Sequence, residues 1–153
     1  MRGFKYERDL NMGQIHSSFL LTPEATYIIE GPPINWMRVA PNYGERRMYD
    51  TQKSVKLMVG IELSKQHNDK PLFDGPLRID WRFFMEIPFS VKKKKPHMIG
   101  QPHMIRPDSS NLIKFYEDVC NGIIFRDDCL ISHGSWQKVY DENPRTEFTI
   151  TRL

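Results

Sequence analysis

Between Arg106 and Leu130 the chain reads R-P-D-S-S-N-L-I-K-F-Y-E-D-V-C-N-G-I-I-F-R-D-D-C-L, the stretch that gathers most of the groups able to do chemistry. Asp108 comes first, Asn111 and Lys114 follow, Glu117 and Asp118 lie further on, and Asp127 and Asp128 arrive together. One acid at the entrance of this stretch and two at its exit form a cradle for a divalent cation, which prefers carboxylate oxygens. A cation held in this way offsets the charge that builds on a phosphate during hydrolysis and lowers the pKa of the attacking water. The bland reading of the same residues is a helix cap, a surface ion pair between Lys114 and Asp118, and an acidic turn.

The elements that must position these groups can be read from the same stretch. Asp108, just behind Pro107, occupies the expected N-cap, where its side-chain oxygen can accept the first free backbone N–H groups. Leu112, Ile113, Tyr116, Val119 and Cys120 recur at helical spacing, so a helix is expected from about Ser109 to Cys120 with Asn111, Lys114, Glu117 and Asp118 on more polar flanks. Asn121-Gly122 should stop it, since both residues tolerate the left-handed conformation of a closing turn. Ile123-Ile124-Phe125 then reads as apolar chain entering the core, with Arg126-Asp127-Asp128 at its edge.

This run resembles the signature of the RusA-type Holliday junction resolvases, in which Pro-Asp-x-Asp-Asn-Leu-x-Lys is followed by a helix, a glycine, an aromatic residue and Asp-Asp. Pro107, Asp108, Asn111, Leu112, Lys114, Gly122, Phe125, Asp127 and Asp128 match in order and spacing. Ser110 departs from the pattern, standing where the best-known members carry a second acid. The resemblance implies a metal-dependent endodeoxyribonuclease that resolves four-way junctions by paired symmetric nicks, in DNA recombination and repair. Magnesium is the implied cofactor, with manganese a substitute. Asp108 and Asp128 are the first candidates for metal ligands and Asp127 the next. Lys114 is implied to contact the scissile phosphate, and Asn111 to fix the loop. Asp118, or its neighbour Glu117, is the expected replacement for the charge that Ser110 lacks.

The implied fold is α+β, a mixed sheet with two packed helices, in a homodimer. Two symmetric cuts in a symmetric substrate call for two active sites related by a twofold axis. Lys92, Lys93, Lys94, Lys95, Arg106, Asn111 and Arg38, with Arg46 and Arg47 beside them, are the expected DNA-binding residues. The implied setting is a phage or prophage protein in the cytoplasm of a bacterial host.

Composition agrees with a nuclease without identifying one. At 153 residues the chain is expected to be one domain, and 39% hydrophobic with 27% charged residues is ordinary for a globular chain. The net charge of +3 is mild, but positive charge is concentrated at Lys92 to Lys95, just before the acidic stretch. Cys120 and Cys129 form no Cys-x-x-Cys pair, so reduced thiols are expected. No apolar run approaches the length of a membrane span, and Glu7 and Asp9 argue against a secretory leader. No G-x-x-x-x-G-K-[ST] loop is present, so a nucleotide cofactor is not expected. His97 and His103, in the echo P-H-M-I-G-Q and P-H-M-I-R-P, lack the partners of a structural zinc site.

The remaining elements follow in order. Residues 1–24 read as an extension and residues 25–153 as the nuclease domain. Ala25 to Glu30 is β-forming and stops at Gly31-Pro32-Pro33. Trp36 to Arg47 is turn-rich. A helix is expected from about Thr51 to Gln66, with Val55, Leu57, Met58, Ile61 and Leu63 as its apolar stripe and Gly60 marking close packing. Leu77 to Ile87 alternates strongly and should form the central strand, ended by Pro88. Leu130 to Val139 reads as a strand with a bulge at Gly134, and Asn143-Pro144 as a hairpin turn into Thr146 to Leu153. Two other functions suit the same residues. One is a non-catalytic branched-DNA-binding protein. The other is a flap endonuclease without paired cuts.

Overall fold

Leu77, Ile79, Trp81, Phe83 and Met85 occupy alternate positions, separated by polar residues except at Phe84, and are all buried, which puts one face of the strand Leu77–Glu86 in the core. This computed structural model describes residues 24–38, 40–42, 47–90 and 97–153. In chain order its elements are β1 (Ala25–Glu30), β2 (Ala40–Asn42), β3 (Arg47–Tyr49), α1 (Lys53–His67), β4 (Leu77–Glu86), α2 (Ser109–Cys120), β5 (Ile131–Asp141) and β6 (Arg145–Arg152). The main sheet has the order β1-β6-β4-β5, so β4 lies inside it, and β2 pairs with β3 in a separate ribbon. β6 is antiparallel to both β1 and β4, whereas β5 runs parallel to β4. The result is the mixed sheet with two helices that the sequence leads one to expect.

β5 and β6 are not a hairpin. The Asn143-Pro144 turn carries the chain across β4, because β4 offers a free edge on each side and takes one strand on each. The bulge expected at Gly134 falls instead at Ser132, the extra residue between the pairs Leu77–Ile131 and Arg78–His133. Gly134 is needed for a different reason. A Cβ there would lie 2.8 Å from the carbonyl oxygen of Ile79, closer than two such atoms can sit. Gly134→Ala should therefore push β5 from β4 and cost about 1–3 kcal/mol, the usual range for overpacking, read as a lower urea midpoint.

α2 buries Leu112, Phe115, Tyr116, Val119 and Cys120. Tyr116 is tied at its hydroxyl to the backbone N–H of Ile34 and to Thr146. α1 corrects the expected stripe. Leu57, Met58 and Ile61 are exposed, Val55 is barely covered, and the inward positions are Val59, Gly60, Leu63 and His67. The helix hides only a narrow strip. Gly60 is where α1 meets the chain leaving α2, since a Cβ would sit 3.0 Å from Cδ1 of Ile123. His67 replaces an apolar residue by bonding the Tyr27 hydroxyl at 2.7 Å. The opposite face of the sheet is polar, with ion pairs Arg78–Asp80, Arg82–Glu147 and Arg145–Glu147. No helix among the described residues is long and apolar enough to cross a membrane.

Candidate active site

α2 starts at Asp108, whose backbone carbonyl accepts from Asn111 N at 3.1 Å and Leu112 N at 3.2 Å. The carboxylate makes no capping hydrogen bond, contrary to the expected cap, and stands exposed at the helix entrance. The residues before it are held from β5. Lys138 Nζ donates to the carbonyls of Ile105 at 2.8 Å and Pro107 at 2.7 Å. Burial pushes the Lys138 ammonium below its ordinary pKa, and the charge of Asp108 pulls the other way. Main-chain bonds from Gly100 and His103 to Tyr140 and Lys138 fasten the same loop along the strand.

A groove results from the placement of β5 at the edge of the sheet. Trp136 pairs with Trp81 and Lys138 with Phe83, so both project to the helix side, beyond the cover that α2 gives. The groove is about 830 Å³ and runs past Asp108, Ser109, Ser110 and Ile113 on one side and Trp136 and Lys138 on the other. A smaller cleft of about 290 Å³ shares Ile113 and Trp136 with it and reaches Glu117. A third, of about 340 Å³, joins Asp108 to Asn35, Arg106 and Asn111.

The second group of charges surrounds Lys114. Its Nζ lies 2.7 Å from Asp118 Oδ1 and 3.7 Å from Asp128 Oδ2. The hydrogen bond to Asp118 is the main reason its pKa is raised, so it stays cationic. The other oxygen of Asp118 faces Lys56 Nζ at 3.4 Å and accepts from the Trp36 indole at 3.1 Å. Asp118 is thus committed to two lysines and an indole. Asp118→Asn should loosen all three, costing about 1 kcal/mol in a urea titration. Glu117 behaves differently. Burial first, and the charge of Asp128 second, raise its carboxyl above the usual range. A carboxyl whose ionisation is disfavoured in this way would gain from a cation beside it.

Of the other candidates, Asp127 caps the short turn Asp128–Leu130, accepting from Cys129 N at 2.9 Å, and that bond lowers its pKa. Ser110 lines the groove two residues after Asp108. Asn111 ties Trp36 N through its backbone carbonyl at 3.1 Å. Arg106 lines the groove and Arg38 is exposed. Lys92, Lys93, Lys94, Lys95 and Arg46 lie outside the described residues, as does nearly all of the expected extension at 1–24, and of Arg47 only the backbone is described. Gly122, not Asn121, takes the left-handed conformation at the end of α2, with φ +74°.

Among the described residues no three His, Cys, Asp or Glu side chains are grouped to hold a metal ion. The donors nonetheless suit magnesium, which binds through one or two carboxylates and completes its shell with water and substrate phosphate. Asp108 makes no capping bond, and Asp128 lies 3.7 Å from Lys114 and close enough to Glu117 to help raise its pKa. Sequence reading missed Trp36, Lys56, Trp136 and Lys138. Each acts on the site from a distant segment, and local spacing carries no signal for that.

Comparison with known proteins adds two findings. The family model described as Endodeoxyribonuclease RusA matches residues 30–151. A protein of Bacillus subtilis (strain 168), described as Uncharacterized protein YqaN, is 30% identical over 118 residues, which are 72% of this chain and 82% of that protein.

Proposed function

Because the chain belongs to the Endodeoxyribonuclease RusA family, we propose that it resolves four-way DNA junctions by magnesium-dependent hydrolysis of two symmetric phosphodiester bonds. The observation that carries this reading is Lys114 held between Asp118 and Asp128 on the helix that Asp108 opens. Asp108 and Asp128 would hold the cation, with Glu117 adding the charge that Ser110 lacks. Once bound, the cation supplies positive charge opposite the scissile phosphate and acidifies the attacking water. Lys114, kept cationic by Asp118, faces the charge that develops on the phosphate oxygens. Asp118 acts through Lys114, as a positioning residue.

Arg106, Asn111, Arg38 and Lys92 to Lys95 bind the DNA arms through phosphates, so affinity falls steeply with salt. A homodimer presents two such sites to a substrate of the same symmetry. The proposed setting is recombination of phage or prophage DNA in a bacterial cytoplasm.

The test is cleavage of an end-labelled synthetic junction in magnesium and in manganese. Paired nicks at symmetric positions are expected. Cleavage of flaps without pairing would shift the reading to a general branched-DNA nuclease. The scarcity of carboxylates at Ser110 favours one second reading, junction binding without cleavage. Tight binding with no product in either metal would establish that instead.

A further inference from the structure

The groove beside Asp108 holds more apolar surface than a phosphate backbone can use. Trp136 is 59% exposed, Met104 88% and Ile105 58%, and all three line it together with Ile113. Large apolar side chains collected at one exposed cleft mark a binding surface. At about 830 Å³ the groove lies within the range of about 300–1,000 Å³ common to small-molecule sites.

Its polar groups are sparse and placed. Arg106 and Lys138 bring positive charge, and Asp108, Ser109 and Ser110 form the helix wall. His103 lines the same cleft, is 7% exposed, and its Nδ1 has no hydrogen-bond partner among the described residues. Its ring packs against Tyr140 with centroids 4.7 Å apart, and its backbone is pinned to Lys138, so the imidazole is held in place. Buried polar atoms in native proteins nearly always find a partner, so an orphan on a cleft wall points to one from outside.

From the proposed nuclease reading, on which this step rests, we infer that the groove receives one unstacked nucleobase of the DNA being cut, adjacent to the scissile phosphate. The base face stacks on Trp136, Met104 and Ile105 close over it, and its edge bonds His103. Aromatic stacking suits every base, while a bond from its edge discriminates among them. A base in intact duplex is already stacked on both faces, so the site selects DNA whose stacking is interrupted. That condition is met at the crossover of a junction. The apolar wall is thereby assigned to DNA and not to a second copy of the chain, because it is continuous with Asp108 and flanked by two cations.

The test uses the full chain without divalent metal and junctions carrying a single 2-aminopurine at each position around the cut. Emission should change at least twofold at one position and at no other. Trp136→Ala should abolish that change and weaken junction binding about tenfold, as loss of one stacked base does, whereas Trp136→Phe should keep both. His103→Ala should keep the emission change and reduce the preference among bases at that position. Intact binding with no change at any position would overturn the inference. So would Trp136→Ala converting a dimer to a monomer in sedimentation, since the face would then be a subunit interface. An emission change from a protein that cuts nothing would overturn the nuclease reading and uphold the base site.

Discussion

Asp128→Asn should lower junction cleavage by about 10²-fold or more, because loss of a proposed metal ligand removes several kcal/mol of charge stabilisation, while junction binding stays within a few fold. The variant should fold. Asp128 is among the groups that push the Glu117 carboxyl upward, so removing its charge relieves a repulsion. The sign follows from that shift. A carboxyl with a raised folded pKa contributes most below its unfolded value, and the contribution is lost as pH rises through the folded one. Once ionised, Glu117 therefore opposes folding, mainly through its burial. Asp128→Asn removes the second cause and also the ion pair with Lys114, so the melting temperature should stay close to that of the wild type. Magnesium should raise the melting temperature of the wild type and leave the variant unmoved. Cleavage near the wild-type rate would remove Asp128 from the active site, whatever became of the junction reading.

Ser110→Asp should do the opposite. Ser110 lies exposed in the first turn of α2, two residues past Asp108, and that turn holds no acid. A carboxylate there adds charge to the proposed cation site and also favours the positive end of the helix. The magnesium concentration for half-maximal cleavage should fall about tenfold, equivalent to about 1.4 kcal/mol. Ser110→Asn, similar in size and uncharged, serves as the control. If both variants share the magnesium dependence of the wild type, no cation binds beside Ser110. The serine would then be a plain surface residue of the helix.

The parts of the fold that sequence could reveal were those specified by their own neighbours in the chain. β4 alternates so regularly that its buried face is read directly, and α2 follows from its helical spacing and its stop at Gly122. α1 misled because apolar residues run all round it, while only a strip through Val59 and Leu63 meets the core. Which apolar residues count as buried there depends on neighbours far along the chain. The Asn143-Pro144 turn misled similarly. Short connections usually join paired strands, and nothing local says that β4 will come between. At the candidate site, the ion pair of Lys114 with Asp118 was legible by its spacing of four. Trp36 and Lys56 reach Asp118 across 82 and 62 residues, a distance over which no motif extends.

The position of β6 has a consequence for when the protein can act. It is made after β1, β4 and β5, yet it lies inside the sheet, between β1 and β4. Until Arg145–Arg152 has left the ribosome, β1 has no partner in the main sheet and β4 lacks its antiparallel neighbour. Thr146 is also absent from its bond to Tyr116, one of the ties that seat α2. Every residue of the proposed metal site is made before that strand, while one of the ties that seat their helix arrives with it. A chain without Arg145–Arg152 therefore carries the acids of the proposed site on a helix that is held by fewer ties.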